Sequence, residues 1–73
     1  MIKKETVLKK LGLHIKKIRQ EKGISQAVLA NSIGKDQQSI QRLESGKVNP
    51  SFYYLYEIAD GLEIKIEEII KEI

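Results

Sequence analysis

An all-α domain of five short helices is the fold this sequence predicts. Three observations predict it. Apolar residues recur at spacings of three and four rather than two. Capping residues and glycines punctuate the chain at short intervals. No alternating runs pair up as strands, and there is no repeat or low-complexity tract. The chain has 73 residues, enough for one domain at most. A domain this small buries little surface and is marginal alone, which a helical fold or a dimer would ease.

The first helix is marked by Leu8, Leu11, Ile15 and Ile18, a single stripe with lysines on the other faces. It is expected to run from about Thr6, as N-cap, to Lys22, with Gly23 ending it. Ser25 caps the second helix, for which Val28, Leu29 and Ile33 are buried candidates and Ala27 and Ala30 small contacts; Gly34 stops it. Asp36 opens the third, where its carboxylate suits the positive end of the helix dipole. Ile40 and Leu43 point inward and Gly46 closes that helix. In the following loop, Pro50 favours extended backbone at Asn49. Ser51 caps a fourth helix with Phe52, Leu55, Ile58, Ala59 and Leu62 inward, ending at Gly61 and Leu62. A last helix, from about Ile66 to Glu72, carries Ile66, Ile69, Ile70 and Ile73. Gly34 and Lys35 alone are expected to separate helices two and three, a connection short enough for a helix-turn-helix.

Charge is divided unevenly. Residues 1–35 hold nine Lys/Arg against two acids, and residues 36–73 four against eight. The first part can favour a polyanion while the C-terminal end repels one, although lysine runs also simply keep helices soluble. There is no cysteine, so disulfides and thiolate zinc sites are excluded. No apolar run follows the basic N-terminus and no stretch approaches a membrane span, so a cytoplasmic protein is expected. No nucleophile–base set, phosphate-cradling glycine loop or metal cluster is visible. An enzyme is therefore not expected, and neither a cofactor nor a metal. The single histidine, His14, lies among lysines and reads as a surface residue. The chain is too short for a ligand pocket of usual size.

The segments LGLHIKKIRQEKGISQ, LANSIG, SIQRLESGKVNPS and LYEIADGLEIKIEEI together resemble the Cro/CI-type (XRE-like) helix-turn-helix domains, the group of lambdoid phage repressors and many small bacterial regulators. The likeness spans about Leu11 to Ile70 and is carried by Arg19, the GISQ turn, Leu29–Ala30, Ile40, Glu44 and Gly46, Asn49–Pro50, Ile58–Ala59 and Leu62. It implies a compact five-helix lambda-repressor-like fold. The domain is expected at 11–70, with the helix-turn-helix at about 26–45, a basic N-terminal extension and start of helix one at 1–10, and a tail at 71–73. It also implies a sequence-specific DNA-binding transcriptional regulator, a repressor or autoregulator, whose helix three enters the major groove.

On this chain the resemblance places Gln37, Gln38, Gln41 and Arg42 on the reading face. A glutamine amide matches adenine N6 and N7, and arginine bridges guanine O6 and N7. The run QQSI is similar to the reading helix of one lambdoid repressor group and suggests an A-rich half-site edge, although Asp36 and Arg42 depart from that group. Gln41 could instead follow the groove wall, and Arg42 could hold a phosphate. Ser39 could meet a sugar or phosphate, or pack near the turn. Phosphate contacts are expected from Arg19, Ser25, Gln26, Lys35, Ser45, Lys47 and Asn49, which would position the protein without reading sequence. Arg19 and Glu44 are expected to form an ion pair beneath that face. Tyr53, Tyr54 and Tyr56 are expected behind the reading helix, at the core edge or in a dimer contact.

Such domains bind paired half-sites as dimers. Ile70 and Ile73 are candidates for a homodimer contact, with Ile64 or Tyr53 beside them; alternatively they cap the monomer core. The partners expected are a palindromic double-stranded operator, a second copy and, if the protein is an antitoxin, a toxin protein docked on the acidic C-terminal end. A restriction–modification controller of the same fold, or an interaction module that has lost DNA binding, are the other readings.

Overall fold

The computed structural model describes residues 1–71 and 73. Among them are five helices and no strand: α1 (Lys4–Glu21), α2 (Gln26–Ser32), α3 (Gln37–Glu44), α4 (Phe52–Gly61) and α5 (Ile66–Ile70). The part of the fifth helix expected at Glu72 lies outside the described residues. No helix among them is long and apolar enough to cross a membrane.

Side-chain caps start the three middle helices. Ser25 accepts from the Val28 N–H at 3.1 Å, Asp36 from Ser39 at 2.8 Å and Ser51 from Tyr54 at 3.0 Å. Each bond satisfies an amide that the helix itself leaves unpaired. α1 differs from expectation. It begins two residues ahead of Thr6, which is an exposed helical residue, and Lys3 at its N-cap makes no side-chain bond. At an exposed end water can satisfy the free amides, and Glu5 favours the first turn through the helix dipole.

Four helices end in the same motif. The amides of Ile24, Lys35, Lys47 and Ile64 each reach back to the carbonyls of Arg19, Ala30, Arg42 and Ala59, at 2.9–3.1 Å. The residue before each is left-handed, which suits Gly23, Gly34 and Gly46. At the end of α4 that residue is Glu63, at φ 58°, rather than the expected Gly61. Gly61 serves packing instead: a Cβ there would lie 2.7 Å from Ile33 Cγ2 and 2.8 Å from Leu29 Cδ1. The link between α2 and α3 runs from Ile33 to Asp36, longer than the two residues expected, because the caps at both ends lie outside the helices.

Leu11, Ile15, Leu29, Ala30, Ile40, Leu43, Ile58, Ala59, Leu62, Ile66 and Ile69 form one core, to which every helix contributes. Ile33 and Leu55 pack against this core half-buried, and two residues expected in it face solvent. Val28 is 57% exposed and Phe52 62% exposed; Ala27 also faces solvent. In so short a helix as α2 one face holds Leu29, Ala30 and half-buried Ile33, so the preceding residues turn outward. Phe52 packs edge-on against Tyr56 instead, with ring centroids 5.3 Å apart. His14 is half-buried rather than a plain surface residue. Its Nε2 donates to the Glu68 carbonyl at 2.7 Å and ties α1 to α5.

α1 crosses the end of α3 with almost no space between the backbones. Gly12 is buried, and a Cβ added to it would overlap the Glu44 carbonyl oxygen and come within 2.6 Å of that of Leu43. The Leu43 carbonyl is held by the Gly46 N–H at 3.1 Å, so the end of α3 has little freedom to move aside. Gly12→Ala is therefore expected to cost about 3 kcal/mol of stability, the upper end for overpacking, and to lower the melting temperature by roughly 12 °C or more. Gly23→Ala meets nothing within 4 Å and is expected to cost only about 1 kcal/mol for its left-handed backbone. Thermal denaturation followed by circular dichroism compares the two; equal losses would contradict the close crossing.

Candidate nucleic-acid interface

The face expected to do the reading is built from the first turn of α3 outward. Asp36 accepts from both the amide and the hydroxyl of Ser39, at 2.8 and 3.0 Å. These bonds hold the Asp36 carboxyl below its ordinary pKa, the backbone bond contributing most. They also fix the turn that carries Gln37 and Gln38. Ile40, Leu43 and Glu44 are buried on one side of α3. Gln37, Gln38, Gln41, Arg42 and Ser45 are all exposed, so the helix presents them as a ridge.

Beneath that ridge Arg19 and Glu44 meet in a bidentate pair. Arg19 Nε donates to Oε2 at 2.6 Å and Nη2 to Oε1 at 3.0 Å. Arg19 Nη1 donates to the Ile24 carbonyl at 2.7 Å, which fixes the turn between α1 and α2. The residues are only 7% and 6% exposed. The bonds from Glu44 raise the guanidinium's already high pKa. Three of the guanidinium donors are thus engaged within the protein, and little of Arg19 remains for a phosphate.

Gln26 continues the same network. Its amide donates to Glu44 Oε1 at 3.0 Å, and its carbonyl lies 3.5 Å from Gln37 Nε2. A chain of polar groups therefore runs from Arg19 through Glu44 and Gln26 to Gln37. The sequence carries the end members in recognisable positions but no local sign that Gln26 would join them.

The other flanking residues fall into two sets. Ser45, Lys47 and Asn49 are exposed around the end of α3, and the Ser45 hydroxyl donates to the Gln41 carbonyl at 2.8 Å. Lys9 joins them, because its backbone lies against Gly46, where a Cβ would be 3.0 Å from Lys9 Cα. Nothing in the local pattern of α1 singles out Lys9. Ser25 uses its hydroxyl as the α2 cap. Lys35 is turned toward α4, 3.8 Å from Glu57 and 5.5 Å from the centre of the Tyr54 ring. Tyr54 packs at the edge of the core as expected, while Tyr53 is exposed. With Ser39 and Arg42 they line one open groove of about 490 Å³, a concavity that the chain's length did not lead one to expect.

Ile70 and Ile73 are 43% and 39% exposed, so both are open to a contact, whereas Ile64 is half-buried against the core. Phe52, Tyr53 and Tyr56 add a larger exposed aromatic surface on α4.

Residues 15–69 match the helix-turn-helix family as a whole. The chain belongs to that family. An uncharacterised HTH-type transcriptional regulator of Sinorhizobium fredii is 34% identical over 62 residues, covering 85% of this chain and 80% of that one. Among solved structures, the restriction-modification controller protein C.AhdI from Aeromonas hydrophila superimposes with a TM-score of 0.86 at 31% identity, over 89% of this chain and 98% of its own. A second restriction-modification controller protein is 37% identical with a TM-score of 0.79, over 90% of each chain. In this helix-turn-helix protein, α2 and α3 are thus the two helices of the motif, and α1, α4 and α5 hold them.

Two outcomes follow from the frame. Asp36→Ala is expected to lower the melting temperature at pH 7. The folded-state pKa lies below the ordinary 3.8, so the cap's contribution is complete above that value and is lost as pH falls through the lower one. The gap between wild type and variant is expected to close in acid, and a gap constant down to pH 2 would contradict the cap. Glu44→Ala leaves Arg19 buried without its partner, at a cost of about 3 kcal/mol. It is expected to reduce duplex DNA affinity and unfolding stability together, read by anisotropy and urea denaturation. Lost affinity with an unchanged melting temperature would contradict the tie.

Proposed function

We propose that this protein is a sequence-specific DNA-binding transcriptional regulator, a repressor or autoregulator, that reads the major groove with α3 as a homodimer. The observation that carries this reading is the exposed ridge Gln37, Gln38, Gln41 and Arg42 on a helix fixed by a buried polar network. Gln37 and Gln38, at the start of α3, are the base readers, their amides suited to adenine edges. Arg42 is placed for a guanine or for the adjoining phosphate, and Gln41 for a base or the groove wall. Lys47, Asn49, Ser45 and Lys9 at one end of the ridge, with Ser25 and Gln26 toward the other, face the DNA backbone, and Lys35 reaches it by turning away from Glu57. Affinity then falls with salt, with a log–log slope of about −0.9 for each phosphate neutralised.

The domain that does this spans 11–70, with α1 extending its basic surface toward the N-terminus. The exposed side of α4 and α5, with Tyr53, Tyr56, Ile70 and Ile73, supplies the two-fold contact, and a palindromic operator mirrors it. Its chemistry is binding without catalysis, in the cytoplasm. Among regulatory roles, restriction–modification control has specific support, since two controllers match this chain along nearly its whole length. An antitoxin would in addition need a toxin protein on the acidic C-terminal end.

Selection of random duplex DNA at moderate salt, with wild type and Gln37→Ala/Gln38→Ala in parallel, tests this. The expected result is a palindrome with half-sites about one turn apart, relaxed at particular bases in the variant. Each lost glutamine contact is expected to cost about 1–3 kcal/mol of discrimination. No enrichment, or enrichment that the substitutions leave unchanged, would overturn the assignment.

A further inference from the structure

Asp36 uses only half of its carboxylate to start α3. Oδ1 accepts from both the amide and the hydroxyl of Ser39, at 2.8 and 3.0 Å. Oδ2 has no hydrogen-bond partner among the described residues, and Asp36 is exposed. No cation among them pairs with it: its neighbour Lys35 stands 3.8 Å from Glu57 of α4 instead. The bonds from Ser39 hold the carboxyl below its ordinary pKa, so it is ionised at pH 7. An ionised carboxylate accepts hydrogen bonds and donates none.

This unpaired acceptor sits one residue ahead of Gln37, at the end of α3 that leads into the major groove. Docking there takes water from Oδ2, and a charge that loses its water must regain hydrogen bonds. Phosphates supply no donor. The base edges of the major groove supply two, the N4 amino group of cytosine and the N6 amino group of adenine. Adenine sets its N7 acceptor beside N6, a pair that suits an amide such as that of Gln37 or Gln38 and opposes a carboxylate. Guanine and thymine turn O6 and O4 toward it, both acceptors. Cytosine alone offers a donor with no acceptor beside it on the same base.

We propose that Asp36 is a further base reader, which selects cytosine through its N4 amino group at the position next to those read by Gln37 and Gln38. Oδ1 stays on Ser39, which fixes the side chain, and Oδ2 takes the base. This rests on the reading of α3 as the major-groove helix. The effect of Asp36 is discrimination more than affinity, because the same charge that accepts from cytosine is repelled by the other three bases.

Asp36→Asn and Asp36→Ser test this on the full chain. Both residues are good N-caps, and melting curves check that each variant folds. Asparagine puts a donor where Asp36 has only acceptors, and serine withdraws the group from the groove. Random duplex DNA is selected with all three proteins. Wild type is expected to enrich a cytosine beside the bases read by the glutamines, and both variants to lose it. On the selected duplex, changing that C·G pair to T·A is expected to weaken wild type about tenfold, the worth of a hydrogen bond to a charged group. The variants are expected to bind the two duplexes about equally. Another base enriched at that position, or a cytosine that both variants keep, would overturn the assignment and leave the wider DNA-binding reading standing. So would variants that bind every duplex more tightly by one common factor, since Asp36 would then act on the phosphates by charge alone. A wild type that enriches no sequence would overturn the major-groove reading, and this inference with it.

Discussion

The rest of this structure depends on one buried ion pair. Arg19 and Glu44 stand twenty-five positions apart and close the molecule across α1 and α3. Burial makes such a pair a poor source of net stability, because both charges must leave water. Geometry is what it supplies. Glu44 is gripped twice, through its carboxylate by Arg19 and Gln26 and at its carbonyl by the close approach of Gly12. The C-terminal end of α3 is thereby fixed from below, and Asp36 fixes the other end. A helix of eight residues would not hold its shape in water alone. Held at both ends and along its buried side, it does not need to.

The same economy runs through the outer helices. α5 has five residues, too few to form unaided. It is kept by buried Ile66 and Ile69 and by the bond from His14 to the Glu68 carbonyl. Glu63 accepts a left-handed backbone so that the chain can turn from α4 into α5 at that point. A non-glycine residue there carries some strain, and the packing of Leu62 and Ile66 on either side offsets it.

Much of the fold was legible because it is set by neighbours in sequence. Ser25, Asp36 and Ser51 announce helix starts, Gly23, Gly34 and Gly46 announce ends, and the apolar stripes locate the core. What was misread depends on contacts between distant segments. Phe52 continues the stripe of α4 but is mostly exposed, its ring resting on Tyr56 of the same helix. Gly61 has the look of a stop, yet its reason lies in Leu29 and Ile33 of another helix. His14 sits in a run of lysines, and only folding brings the Glu68 carbonyl to it. At the candidate interface, the ridge of α3 followed from its own periodicity. The Arg19–Glu44 tie came by family resemblance, whereas the part of Gln26 and the groove under Tyr53 and Tyr54 arise only where three segments converge.

The exposed ridge has a bearing on descent. Gln38, Gln41 and Arg42 contribute nothing to the core and, among the described residues, their side chains make no hydrogen bond to the frame. Substitutions there are free of the penalties that attend buried positions. After gene duplication, copies of such a chain could diverge in what they recognise while inheriting one scaffold unchanged. Gln37, reached by Gln26 at 3.5 Å, is where a change of preference would first be felt by the scaffold itself.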